Sequence, residues 1–124
     1  MIILGSRIIV DTSSILFALS NKVDIFNAIK EDLGLDPVIS RGVVKELQKF
    51  SESSKGSSRY AKVALQLIDK YGIKTDPDSD YVDNWILSKA KDMDNVCTND
   101  TKLRNALRGK GVKVYVISRS GEFR

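Results

Sequence analysis

The sequence predicts an α/β fold, a three-layer α/β/α sandwich around a central and mostly parallel sheet. Short apolar, β-branched runs alternate with longer segments whose apolar residues recur at helical spacing, which is typical of a sheet covered on both faces. Polar residues follow two of the apolar runs directly. The chain has 124 residues and no internal repeat. This length predicts a single domain spanning residues 1–124.

Five apolar runs are short enough to be buried strands, and each is bounded by charged or turn-forming residues. The predicted strands are residues 8–10, 37–39, 73–75, 95–97 and 112–117. Because helical patterns separate most of them, consecutive strands are expected to run parallel. Cys97, at the end of the fourth run, is expected to be a small buried hydrophobe.

Helical spacing of apolar residues indicates the elements between these strands. The predicted helices lie around residues 15–19, 23–33, 43–50, 60–68, 82–90 and 101–108. A hydroxyl at positions 12–14 can cap the first helix, and Ser40 can cap the third. Gly34 and Gly72 end the second and fourth helices. The serine-rich stretch at residues 51–58 is expected to be a loop.

Composition restricts the chemistry that the chain can perform. The sequence contains no histidine, which excludes Ser-His-Asp catalysis and histidine-bound zinc. It contains one cysteine, so an internal disulfide is impossible and a reducing, cytoplasmic location is expected. No apolar stretch is long enough for a membrane helix. The net charge of +4 favours an anionic partner such as nucleic acid.

Four acidic residues are expected to meet at one edge of the sheet. Asp11 and Asp100 follow predicted strands, and the carboxyl ends of parallel strands share an edge. Glu46 and Asp83 lie in helices expected to start near that edge. Crowded carboxylates need a counter-ion, and Mg²⁺ prefers oxygen ligands. Although each acid alone also fits a structural role in a helix start, the set predicts a metal-binding nuclease centre.

The chain resembles the PIN-domain nucleases. The resemblance rests on residues 8–13, residues 43–47, residues 83–87, and Val96-Cys97-Thr98-Asn99-Asp100 with the leucine and arginine that follow. It implies a catalytic set of Asp11, Glu46, Asp83 and Asp100. In that set Asp11, Asp83 and Asp100 hold Mg²⁺ or Mn²⁺, and the supporting residues are Ser13, Thr98 and Asp80.

The C-terminal part is similar to the archaeal and eukaryotic ribosomal-RNA-processing branch of that family. This similarity implies an endoribonuclease that acts on single-stranded RNA or precursor ribosomal RNA. Lys102, Arg104 and Arg108 lie beside Asp100 and are expected to contact phosphates. Two alternatives remain open, a toxin-type ribonuclease of a toxin–antitoxin pair and a non-catalytic RNA-binding module of ribosome assembly. The oligomeric state stays open between a monomer and a homodimer.

Overall fold

The computed structural model describes residues 6–76 and 95–124, in which five strands form one sheet. The strands are β1 (Arg7–Val10), β2 (Asp36–Ser40), β3 (Lys74–Asp76), β4 (Asn95–Cys97) and β5 (Lys113–Tyr115). Their order is β3-β2-β1-β4-β5, and every pair of neighbours is parallel. The predicted α/β sandwich with a parallel sheet is therefore confirmed.

Within residues 6–76 and 95–124, helices follow β1, β2 and β4. They are α1 (Thr12–Ser20), α2 (Ile25–Ala28), α3 (Arg41–Ser51), α4 (Ser58–Tyr71) and α5 (Thr101–Arg108). Helix α1 packs against α3 and α4, which places these three on one face of the sheet. Helix α5 joins β4 to β5 and packs against β5. Right-handed connections put α5 on the opposite face because the chain then runs across the sheet in the other direction.

The sheet order contains a switch point between β1 and β4. From β1 the chain proceeds to β2 and β3 on one side, and β4 and β5 lie on the other side. The connections leaving β1 and β4 thus diverge to opposite faces and leave a crevice beyond the two strand ends. Ligands bind in such crevices in open α/β sheets.

The core lies on both faces of the central strand. Ile8, Ile9 and Val10 of β1 have no exposed surface, as expected for a parallel strand covered by helices on both sides. Ile15 and Leu47 cover the sheet from α1 and α3 and are fully buried. Within the described residues, no helix is both long enough and apolar enough to cross a lipid bilayer.

Local structure departs from the sequence prediction at three places. The second helix changes at Ile29–Leu33 into a π-helical turn, which 3.6-residue spacing cannot reveal. The predicted strand at residues 112–117 ends at Tyr115 because the chain turns back, and Ile117 then pairs antiparallel with Phe123. The first helix begins after Asp11, so residues 12–14 lie inside it rather than before it.

Candidate functional site

Asp11 occupies the cap position of α1 without capping it. Its backbone is extended, with φ −84° and ψ 151°, but its side chain accepts no hydrogen bond from a backbone N–H of the helix. The carboxylate is only 5% exposed, and its Oδ2 accepts hydrogen bonds from Ser13 Oγ at 2.7 Å and Thr98 Oγ1 at 2.8 Å. A structural cap would contact a backbone N–H of the helix. The side chain is instead held at the switch point of the sheet.

Thr98 connects the ends of β1 and β4. Its side chain is fully buried, and its hydroxyl donates to Asp11 while accepting the backbone N–H of Asp100 at 3.1 Å. Ser13 makes a matching link, because its hydroxyl donates to Asp11 and accepts the Asn99 N–H at 3.2 Å. The turn after β4 is therefore attached to Asp11 through two hydroxyl groups. Ser13 and Thr98, which the resemblance implied as supporting residues, both contact Asp11.

Asn99 was not identified from the sequence as a site residue. Its Oδ1 accepts hydrogen bonds from Ser14 Oγ at 2.8 Å and from the Ile117 N–H at 3.2 Å. Its Nδ2 donates to the Ile117 carbonyl at 3.0 Å. One amide side chain thus joins α1, the turn after β4 and the segment after β5. The sequence contains no local signal for this role because Ile117 lies 18 residues further along the chain.

Asp100 is both a helix cap and a neighbour of the Asp11 cluster. Its Oδ1 accepts the Leu103 N–H at 3.0 Å, so the structural role expected of an acid before a helix is present. Its backbone N–H donates a hydrogen bond to Thr98 Oγ1, which places the residue beside Asp11 at the same sheet edge. Capping orients this carboxylate and does not prevent it from binding a ligand as well.

Of the other predicted acids, the structure describes only Glu46. Glu46 lies in α3, the helix that follows β2, and is half-buried. Asp80 and Asp83 lie outside the described residues. Among residues 6–76 and 95–124, no three potential ligands of the Asp, Glu, Cys or His type come close enough together to hold a metal ion. The full four-acid set therefore stays a prediction.

The basic residues after Asp100 lie on different sides of α5. Leu103 and Leu107 face the core. Arg104 and Arg108 are four residues apart and share a face, whereas Lys102 lies about 200° around the helix from Arg104. Arg104 is half-buried, and its Nε is enclosed with no hydrogen-bond partner among the described residues. Arg104 and Arg108 are thus better aligned than Lys102 for a shared anionic ligand.

Cys97 is buried at the end of β4, beside the end of β1 that leads into Asp11. Burial raises the pKa of its thiol from 9.0 to about 12, and the negative charge of Asp11 adds to the rise, while a hydrogen bond with Ser14 opposes it. A thiol with this pKa is uncharged at neutral pH and is a poor nucleophile. The residue is fully buried, as the sequence predicted.

Comparison with known proteins agrees with this architecture. The family model described as PIN like domain matches residues 8–120. The solved structure of the PIN domain endonuclease Utp24 is similar with a TM-score of 0.73 and 25% identity, over 90% of this chain and 85% of that chain. A domain of a functionally unknown protein from Methanocaldococcus jannaschii DSM 2661 is similar with a TM-score of 0.63 and 18% identity, over 92% of both chains. No curated protein matches the chain significantly.

The family match covers most of the chain, including the ends of β1 and β4 and the residues attached to Asp11. The similarity to Utp24 supports a nuclease activity in general. The resemblance recognised in the sequence is confirmed, since the matched region contains the acids on which it rested, from Asp11 to Asp100. The chain belongs to the PIN like domain family.

Proposed function

We propose that the protein is a metal-dependent endoribonuclease whose centre is built around Asp11. The observation that carries this proposal is the placement of that carboxylate. It is nearly buried, it lies at the switch point of the sheet, and it is oriented by Ser13 and Thr98 rather than used as a helix cap. A carboxylate that is held at the switch point of the sheet without capping its helix supports a role in ligand binding or catalysis.

The surroundings of Asp11 fit a divalent cation. Among the described residues, the polar groups that contact its carboxylate are hydroxyls, and neither a lysine nor an arginine is among them. A nearly buried carboxylate is strongly stabilised by a neighbouring positive charge, and a hard cation with oxygen ligands supplies one. Asp11, Asp83 and Asp100 would hold Mg²⁺ or Mn²⁺, with Glu46 and Asp80 nearby.

The residues of the proposed site have distinct roles. When bound, the metal ion lowers the pKa of water and offsets the charge that develops on a phosphodiester. Thr98 and Ser13 hold the Asp11 carboxylate in one orientation, and hydrogen-bonding partners of this kind tune metal ligands. Asp100 presents its carboxylate from the start of α5 while its Oδ1 caps that helix.

Arginines on α5 complete the proposed site. Arg104 and Arg108 project from the helix that Asp100 begins, so a phosphate track there would lead into the acidic centre. Lys102 would contact a different part of the RNA. Such side chains bind the RNA backbone without regard to sequence.

The substrate that we propose is a single-stranded segment of RNA within precursor ribosomal RNA. The support is the resemblance of the C-terminal sequence, from Thr98 to Arg108, to the ribosomal-RNA-processing branch of the family. The charge of +4 is consistent with an RNA partner. The similarity to Utp24, which is described as an endonuclease, favours cleavage within a strand rather than binding alone.

Metal removal tests the proposal. Cleavage of single-stranded RNA is expected to stop in EDTA and to return when Mn²⁺ or Mg²⁺ is added in excess, because the chain has no histidine to replace metal chemistry. The measurement is the initial cleavage rate of a labelled RNA by metal-stripped protein. Undiminished cleavage by protein shown to be metal-free would refute the mechanism.

A further inference from the structure

A large cavity lies at the edge of the sheet opposite to Asp11. Its volume is about 390 Å³, within the range of ligand-binding pockets. The first residues of three strands contribute to it, namely Arg7 of β1, Asp36 of β2 and Lys74 of β3. Arg7 and Asp36 are partners in the sheet register, so this group marks the amino edge. Along β1, Arg7 lies about 13 Å from Asp11, since four residue steps separate them.

The charged residues that line this cavity are mostly basic. Arg7, Lys30 and Lys74 contribute positive charge, against one acidic residue, Asp36. All four residues are exposed to solvent. Lys30 lies in the π-helical turn that follows α2, and π-helical turns occur frequently at functional sites. Three cations around one concave surface favour an anionic ligand.

An oriented aromatic ring borders the same cavity. Tyr71, the last residue of α4, is 38% exposed, and its hydroxyl donates a hydrogen bond to Asp24 Oδ2 at 2.5 Å. This hydrogen bond raises the pKa of the Tyr71 phenol, so the donor stays protonated at neutral pH. Gly72, with φ 58°, ends the helix in the left-handed conformation and turns the chain toward β3. The ring is oriented by two contacts, since Asp24 accepts the hydrogen bond of its hydroxyl and Lys70 Nζ lies 5.7 Å from the ring centroid over one face.

An exposed aromatic ring beside several cations is the combination that binds single-stranded nucleic acid. Bases stack on the ring irrespective of sequence, while lysine and arginine contact the phosphates. Neither feature is explained by the core, because Tyr71 and the three cations lie at the surface. Neither is explained by the proposed cleavage centre, which lies at the other edge of the sheet.

We propose that the amino-edge cavity is a second binding site for single-stranded RNA, in which Tyr71 stacks on a base and Arg7, Lys30 and Lys74 bind neighbouring phosphates. The inference rests on the proposed ribonuclease function and extends it to the substrate. RNA bound at both sites must reach at least about 13 Å beyond the cleaved bond. The enzyme would therefore prefer long strands to short oligonucleotides.

Binding of a labelled single-stranded RNA in EDTA tests this site without any cleavage. Tyr71→Ala is expected to weaken binding by about 5-fold or more, because loss of one stacking contact costs about 1 kcal/mol or more. Tyr71→Phe keeps the ring and is expected to stay closer to the wild-type affinity. Lys30→Ala with Lys74→Ala should reduce the slope of log K against log salt by about 0.7 for each lost phosphate contact.

Lys62→Ala is the matched control, since Lys62 is an exposed cation of α4 that does not line the cavity. Equal affinities of Tyr71→Ala and Lys62→Ala for RNA would overturn the inference, as would a failure of the wild type to bind single-stranded RNA. A trinucleotide, too short to reach both sites, should be cleaved equally by wild type and Tyr71→Ala, whereas cleavage of a long strand should be slower in the variant.

These outcomes separate the second site from the proposed activity. RNA that binds through Tyr71 but is never cleaved in Mn²⁺ would refute the ribonuclease proposal and leave the binding site intact. Long RNA that is bound and cleaved equally well by wild type and Tyr71→Ala would refute the second site and leave the nuclease proposal intact.

Discussion

Replacement of Asp11 by Asn is expected to reduce RNA cleavage by more than about 100-fold. Loss of an outer hydrogen-bonding partner of a metal site typically costs about 10–100-fold in affinity or activity, and Asp11 is the proposed ligand itself. Thr98→Val removes the hydroxyl that orients Asp11 and accepts the Asp100 N–H but leaves the Asp11 carboxylate in place, so its effect should fall within that smaller range. The measurement is kcat/KM for a defined RNA at saturating Mn²⁺.

The comparison needs a variant that changes charge equally and leaves the site intact. Asp69→Asn fits, because Asp69 is an exposed acid on α4. It should cleave RNA like the wild type, and all three variants should show the same circular dichroism spectrum. An Asp11→Asn protein that is folded and retains a tenth or more of the activity would show that Asp11 is not a metal ligand in catalysis.

The largest effect on stability is expected at Asn99. Asn99→Ala removes the partners of the Ser14 hydroxyl and of the backbone N–H and carbonyl of Ile117, a residue that is only 1% exposed. A buried polar group left without a hydrogen bond costs about 1–3 kcal/mol, so the free energy of unfolding should fall by about 2–4 kcal/mol. Urea denaturation at neutral pH measures it.

Asn105→Ala is the control for this effect. Asn105 is exposed within α5, and alanine is the better helix former, so the control should be as stable as the wild type or slightly more stable. Asn99→Asp retains an acceptor for the Ile117 N–H but loses the Nδ2 donor, and it should also be destabilised. Equal midpoints for Asn99→Ala and Asn105→Ala would contradict the role of Asn99 as a connection between three segments.

Periodicity and strand ends were sufficient to predict the architecture. Residues 8–10, 37–39 and 95–97 are mostly apolar, and each forms or lies within a parallel strand at the centre of the sheet. The position of Asp11 directly after such a run was enough to predict that it lies at the carboxyl edge. Ser40 caps α3 through the Val43 N–H, as its place before a helical pattern indicated.

Other features depend on contacts that no local pattern contains. The sequence could not distinguish Asp11, which does not cap α1, from Asp100, which caps α5, because the difference is made by Thr98 far along the chain. The role of Asn99 depends on Ile117, which belongs to a segment that was predicted to be strand.

The basic cavity could not be predicted from the sequence for a related reason. Arg7, Lys30 and Lys74 are far apart along the chain and come together because the first residues of β1 and β3 and the π-helical turn after α2 border the same cavity. Tyr71 was not identified at all, since a tyrosine before a glycine at the end of a helix is a common pattern. Only the folded structure, in which Tyr71 lines the same cavity, places it beside these cations.

The most direct test of the central claim is the location of bound Mn²⁺ by paramagnetic broadening of backbone amide signals in solution. The proposed centre predicts that substoichiometric Mn²⁺ broadens the amides of Asp11, Thr98 and Asp100 first, and that this broadening is lost in Asp11→Asn. The amide of Arg7, at the amino end of β1, should stay sharp. Broadening centred elsewhere, or broadening that is unchanged in Asp11→Asn, would contradict a metal centre built around Asp11.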